Sequence, residues 1–120
     1  MTTLKVGIAS REAFKKRTLA IARGERKASA KEPKVWFESI ETLSQVLSEP
    51  NRKLLALIME TQPRSLAELA AKSGRAPSNL SRTLRNMERY GLIAFEEGRN
   101  RQRAPVVRYS GVELELSFQS

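Results

Sequence analysis

Apolar positions change their spacing along the chain, and each change predicts a new element. Leu4, Val6 and Ile8 alternate with Lys5 and Gly7, which predicts a short strand over 4–8. Ser10 can cap a helix over about 11–23, with Glu12 in the first turn where a carboxylate suits the dipole. Phe14, Leu19 and Ile21 give that helix an imperfect apolar side. Val35, Trp36 and Phe37 form an apolar run, read as an extended segment packed on the core with Trp36 as an anchor. Ser39 caps a short helix with Ile40, Leu43 and Leu47 at helical spacing. Ser48 and Pro50 start another, to about Thr61. There Leu54, Leu55, Leu57, Ile58 and Met59 cover most of the circumference, which predicts a buried scaffold helix.

The stretch over 65–92 organises the rest. Ser65 and Glu68 make a capping box ahead of Leu66, Leu69 and Ala70. Gly74 ends that helix, where a left-handed residue is needed. Pro77 opens a second helix at the position where a missing N–H costs nothing. Leu80, Leu84 and Met87 face a core at i, i+4, i+7. Gly91 closes the helix, and Leu92 to Phe95 reads as a strand. A polar, basic tip over 96–105 leads to a return strand over 106–109. After the Ser110-Gly111 turn, Val112, Leu114, Leu116 and Phe118 alternate with Glu113, Glu115 and Ser117. Such a one-faced strand needs a partner: the hairpin, the 4–8 strand or a second chain.

The second helix of the pair turns a distinctive side away from its apolar residues. Ser78, Asn79, Ser81, Arg82, Arg85, Asn86 and Arg89 cover it without a carboxylate. A solvated face ordinarily mixes Lys with Glu. Arg and Asn are the side chains that make bidentate contacts with guanine and adenine edges in a major groove. Arg99, Arg101 and Arg103 in the hairpin tip are candidates for the phosphate backbone or a narrowed minor groove.

Two helices, a hairpin and an Arg-rich tip follow one another in the order of a winged helix-turn-helix. The segment GRAPSNLSRTLRNMERYGLI resembles the recognition-helix region of MarR- and ArsR-like winged-helix regulators, where an S-x-x-S-R-x-L-x-x-L-x-x-x-G-L-I pattern recurs. The whole chain is similar to a small family of winged-helix antitoxins, in the segments LKVGIASREAF, VWFESIETLSQVL and VELEL. The resemblance spans 4–118. It implies an α+β, mainly α, winged helix-turn-helix with an N-terminal strand-helix arm and a C-terminal strand. It also implies a toxin as protein partner and repression of the chain's own operon.

The charge agrees with an anionic partner: 22 Lys and Arg stand against 13 acidic residues, a formal +9. The excess is concentrated. Residues 1–34 hold ten basic and three acidic residues, and 35–62 hold two and four. The stretch over 24–33, polar and small with Gly24 and Pro33 at its ends, reads as a linker. The expected division is therefore an arm over 1–34, for dimerisation or partner binding, and a DNA-binding domain over 35–120.

Composition also excludes. There is no Cys and no His, and every acidic residue is Glu. The usual zinc sites cannot be built from that set. The common nucleophile–base–orienter arrangements lose two members of three. No cofactor is called for, and the chain reads as a non-enzyme. No apolar run approaches the roughly 20 residues that span a bilayer, and no signal peptide is visible, so the expected location is cytoplasmic.

The leading expectation is a sequence-specific regulator that binds double-stranded DNA as a homodimer, with a toxin partner implied by the resemblance. A stand-alone repressor is the alternative. A protein-interaction adaptor of the same fold would not need the carboxylate-free arginine face. RNA binding would favour exposed aromatics, and only seven aromatic residues exist.

Overall fold

A computed structural model describes residues 2–25, 27, 32–97 and 102–118. Strand β1 (Thr3–Ile8) leads into helix α1 (Arg11–Ala22), strand β2 (Val35–Phe37) and helix α2 (Ile40–Val46). Helices α3 (Glu49–Thr61), α4 (Leu66–Ser73) and α5 (Pro77–Arg89) follow. Strands β3 (Ile93–Glu97), β4 (Arg103–Val107) and β5 (Gly111–Glu115) complete an α+β architecture.

The helix starts obey local chemistry. Ser10, Ser39, Ser48 and Ser65 each accept a backbone N–H from three residues on, relieving one unpaired donor at each N-terminus. The capping box at α4 differs in one detail. The Glu68 carboxylate accepts the N–H of Arg64 at 2.8 Å, one residue ahead of the cap.

The strands form two sheets. β1 is the centre of a parallel sheet in the order β2-β1-β5, and β3 pairs with β4 as an antiparallel hairpin. The C-terminal strand thus finds its partner in β1, with Leu4 opposite Val112 and Val6 opposite Leu114. It ends at Glu115, short of the expected 118, because β1 offers no register beyond Gly7 on that side. The hairpin strands are also displaced toward the tip from the expected 92–95 and 106–109. The ladder pairs Ile93 with Val107 and Glu97 with Arg103, which seats Ile93 and Val107 in the core.

The core joins both sheets to the helices. Leu4, Val6, Phe37, Leu69, Leu80, Leu84, Met87 and Ile93 belong to one buried cluster. The division expected at residue 34 therefore does not separate two packing units. Leu4 and Val6 sit in the same core as α5, and removing residues 1–34 removes the central strand. Half of the expected linker over 24–33 lies outside the described residues; of the described half, Gly24, Glu25 and Lys27 are exposed and Pro33 is buried. Gly7 is fixed by this packing: a Cβ there would stand 2.6 Å from the Trp36 ring.

The scaffold helix is less enclosed than its composition predicts. Only Leu54 and Ile58 of α3 are buried, and Met59 is exposed. Its inner side meets α4 and β4. The other side faces an open groove lined by Leu55 and Met59, together with Leu43, Leu47 and Val112.

Candidate nucleic-acid interface

Two helices and their turn set the geometry of the candidate site. Gly74 ends α4 with φ 71, a left-handed conformation that a residue with a Cβ adopts only under strain. Pro77 is the first residue of α5, and Leu80, Leu84 and Met87 are fully buried. With one side of the helix fixed, 3.6-residue periodicity turns Ser78, Arg82, Arg85, Asn86 and Arg89 to the opposite side. These residues and Asn79 are all exposed. Ser81 lies half-buried on the flank, its hydroxyl accepting from the Arg85 guanidinium at 3.4 Å.

Arg82, Arg85 and Arg89 have no ion pair among the described residues. The nearby carboxylate, Glu88, is turned toward the hairpin and meets Arg103 at 3.9 Å. Arg103 also lies 4.9 Å over the Phe95 ring. Of the expected hairpin arginines, Arg103 therefore fastens the hairpin to α5, while Arg99 and Arg101 lie outside the described residues.

The turn is held by residues that sequence reasoning missed. The Arg75 guanidinium donates to the Asn51 side-chain oxygen at 3.1 Å and to the Pro50 carbonyl at 2.8 Å. The Asn51 amide in turn donates to the Val46 carbonyl at 3.0 Å and the Gln45 carbonyl at 3.2 Å. The pair thereby ties the end of α2, the start of α3 and the α4–α5 turn together. Arg75 and Asn51 are 24 residues apart, and no local pattern links an exposed-looking Arg to a helix-start Asn.

The C-terminal end of α5 is tied to the parallel sheet. Tyr90 stacks on Phe37 with ring centroids 4.2 Å apart. Beside it, Arg89 shares a groove with Arg11, Lys34, Phe14 and Trp36. Arg17 closes the groove's floor, lying 5.2 Å over Trp36 and paired with Glu32. The basic surface of α5 thus continues onto the start of α1.

The model of the HVO_A0114 family matches residues 46–114, more than half of the chain, and the chain belongs to that family. The match runs from the last residue of α2 into β5 and contains the whole α3–α5 unit and the hairpin. No curated protein matches the chain, and no solved structure does.

Proposed function

We propose that this member of the HVO_A0114 family is a sequence-specific, DNA-binding transcriptional regulator acting as a homodimer in the cytoplasm. In this reading α4 and α5 are a helix-turn-helix and β3–β4 is its wing. α5 enters the major groove, where Asn79, Arg82, Arg85 and Asn86 meet base edges and Ser78 and Arg89 meet phosphates. The observation that carries the reading is the exposed face of α5, with three arginines that have no ion pair among the described residues, on a helix whose other side is locked in the core. The protein performs no chemistry in this account; it positions cations against a polyanion.

Duplex binding measured by fluorescence anisotropy tests it. Affinity for the protein's own promoter should exceed affinity for a scrambled duplex. It should fall with salt on a log–log slope of magnitude about 4 to 8 per dimer, for roughly that many neutralised phosphates. Equal, weak binding to both duplexes rejects sequence-specific reading and leaves the adaptor role.

The antitoxin role implied by the resemblance has one observation in its favour. α1 buries none of its residues and exposes Phe14 and Leu19 beside Arg11, Lys15 and Lys16. A helix so presented suits an acidic-rimmed groove on a partner protein. The variant to use is Phe14→Ala with Leu19→Ala, since a truncation at 34 would also delete β1. Co-expressed with a toxic product of the neighbouring reading frame, the wild type should restore growth and the double variant should not.

A further inference from the structure

The row of apolar side chains that starts on β5 runs past its end at Glu115. Val112 and Leu114 stand opposite Leu4 and Val6 and so share the core-facing side of the sheet. Leu116 and Phe118 continue the same alternation where β1 no longer pairs. Exposure rises along the row, from 41% at Leu114 and 47% at Leu116 to 99% at Phe118. β5 is also the end strand in the order β2-β1-β5, so among the described residues its outer edge has no strand beside it. An apolar edge of this kind is a template for another strand.

We propose that this edge is the dimer interface: residues 112–118, β5 prolonged past Glu115 as the pair forms, run antiparallel to the same residues of a second copy, with the two-fold axis at Glu115. The inference rests on the dimeric reading above and names the surface that makes it. Three facts select the occupant and the register. Directly opposed residues in an antiparallel pair lie on the same side, so a two-fold pairing must be centred on a residue. Centring on Leu114 sets Glu113 against Glu115 of the other copy twice, and like charges directly opposite destabilise a pair. Centring on Glu113 leaves Leu116 and Phe118 of both copies uncovered. Centring on Leu116 leaves Val112 opposite Ser120, whereas centring on Glu115 matches all four apolar positions, Val112 with Phe118 and Leu114 with Leu116, each twice, at the cost of one Glu115–Glu115 contact on the other side.

That register also fills a cavity. Val112 forms one wall of the groove of about 500 Å³ between α2, α3 and β5, with Leu43, Leu47, Leu55 and Met59. Phe118 of the second copy, lying next to Val112, enters it. An aromatic ring buries about 150–250 Å². A standard interface needs about 800 Å² from each partner. Phe118, Leu116, Leu114 and Met59 supply the apolar part of such an interface and the strand edge its polar part. The product is a continuous six-stranded sheet, β2-β1-β5-β5-β1-β2, isologous as a closed dimer requires.

The chain has no cysteine, so single introduced thiols report the register directly. Glu115→Cys should cross-link to its own copy under mild oxidation, since opposed strand residues fall within disulfide reach. Glu113→Cys, displaced by four residues or roughly 13 Å along the strand, should not. Light scattering at micromolar concentration should show a dimer. Leu116→Ser with Phe118→Ser should weaken it at least tenfold, with the circular dichroism spectrum unchanged because both side chains are exposed in the single chain. Glu115→Gln removes the one like-charge contact and should tighten it. A dimer that survives the double serine variant overturns this interface while the dimeric reading stands. So does a cross-link that forms in the Glu113→Cys variant and not in Glu115→Cys. A monomeric wild type overturns both and assigns the apolar edge to another protein.

Discussion

Helices α5 and α1 are nearly equal in length, 13 and 12 residues, and both carry several basic side chains, yet they use them in opposite ways. α5 buries Leu80, Leu84 and Met87 completely and leaves its arginines without an ion pair among the described residues. α1 buries nothing. It is fastened by its cations instead: Arg11 pairs with Glu38 at 3.2 Å, and Arg17 pairs with Glu32 over the Trp36 ring. Where apolar packing fixes the helix, charge is left over for a partner. Where packing is missing, part of the charge is consumed in holding the helix down. The more basic of the two helices, α1 with four cations against three in α5, is therefore the one with part of its charge already engaged.

The difference predicts opposite responses to truncation of apolar side chains. Leu84→Ala leaves a cavity in the centre of the core and should cost about 2–5 kcal/mol. Phe14→Ala and Leu19→Ala remove exposed groups and should stay within about 0.5 kcal/mol. Urea unfolding of the three variants measures this. A large loss from either α1 variant would mean that α1 is packed in solution, for instance against another protein.

Gly7→Ala probes the ground on which α1 stands. The added methyl meets the Trp36 ring, on which Arg17 rests, and Pro33 at 2.9 Å. Overpacking of this kind should cost about 1–3 kcal/mol. The strain falls on β1 and β2, so the α4–α5 turn should keep its DNA affinity once the protein is folded. Parallel measurement of unfolding and anisotropy separates the two.

The arginines themselves give the sharpest contrast. Arg82→Ala should cost about 1–3 kcal/mol on the promoter and little on scrambled DNA, if it reads a base. Lys15→Ala or Lys16→Ala on α1 should weaken both duplexes alike or neither, and lower the salt slope by at most about 1. Arg103→Ala belongs with the fastening group, since it releases Glu88 and Phe95. An Arg82 variant that weakened both duplexes equally would place α5 on phosphates alone.

Much of this was legible because the signals are local. Four serine caps, Gly74, Pro77 and the Leu80–Leu84–Met87 spacing each act within a few residues, and the structure repeats them. The exposed face of α5 follows from the same periodicity. What was not legible is long-range. The charge shift at residue 34 looks like a domain boundary, yet Val6 pairs with both Val35 and Leu114. Composition cannot tell an arm from the central strand of a sheet whose other strands come later. Arg75 and Asn51 escaped for the same reason, being joined only by the fold. Met59 was expected inside because the apolar residues of α3 go round the helix, but the fold supplies neighbours on one side only.

The smallest expected effect concerns the start of the α4–α5 unit. The Glu68 carboxyl is held below its ordinary value, first by the N–H of Arg64 and then by Lys72, whose ammonium lies 3.2 Å away. A carboxylate with a depressed folded-state pKa adds stability above its unfolded value, and that stability is lost as pH falls through the folded one. Acidification below the ordinary carboxylate range should therefore loosen the N-terminus of α4. The group is partly exposed and screened, so the change is slight. Glu68→Gln keeps the shape, gives up the charge and should flatten this contribution across the same range. Amide hydrogen exchange at Glu68 and Leu69 is the suitable readout, because the loss is local to one cap. In the wild type these amides should exchange with more opening at low pH than at neutral pH, after correction for intrinsic rates. The Ser10-capped turn of α1 has no such carboxylate bond to the residue ahead of its cap and serves as the internal reference. Equal opening of the two caps at every pH would remove the role given to Glu68.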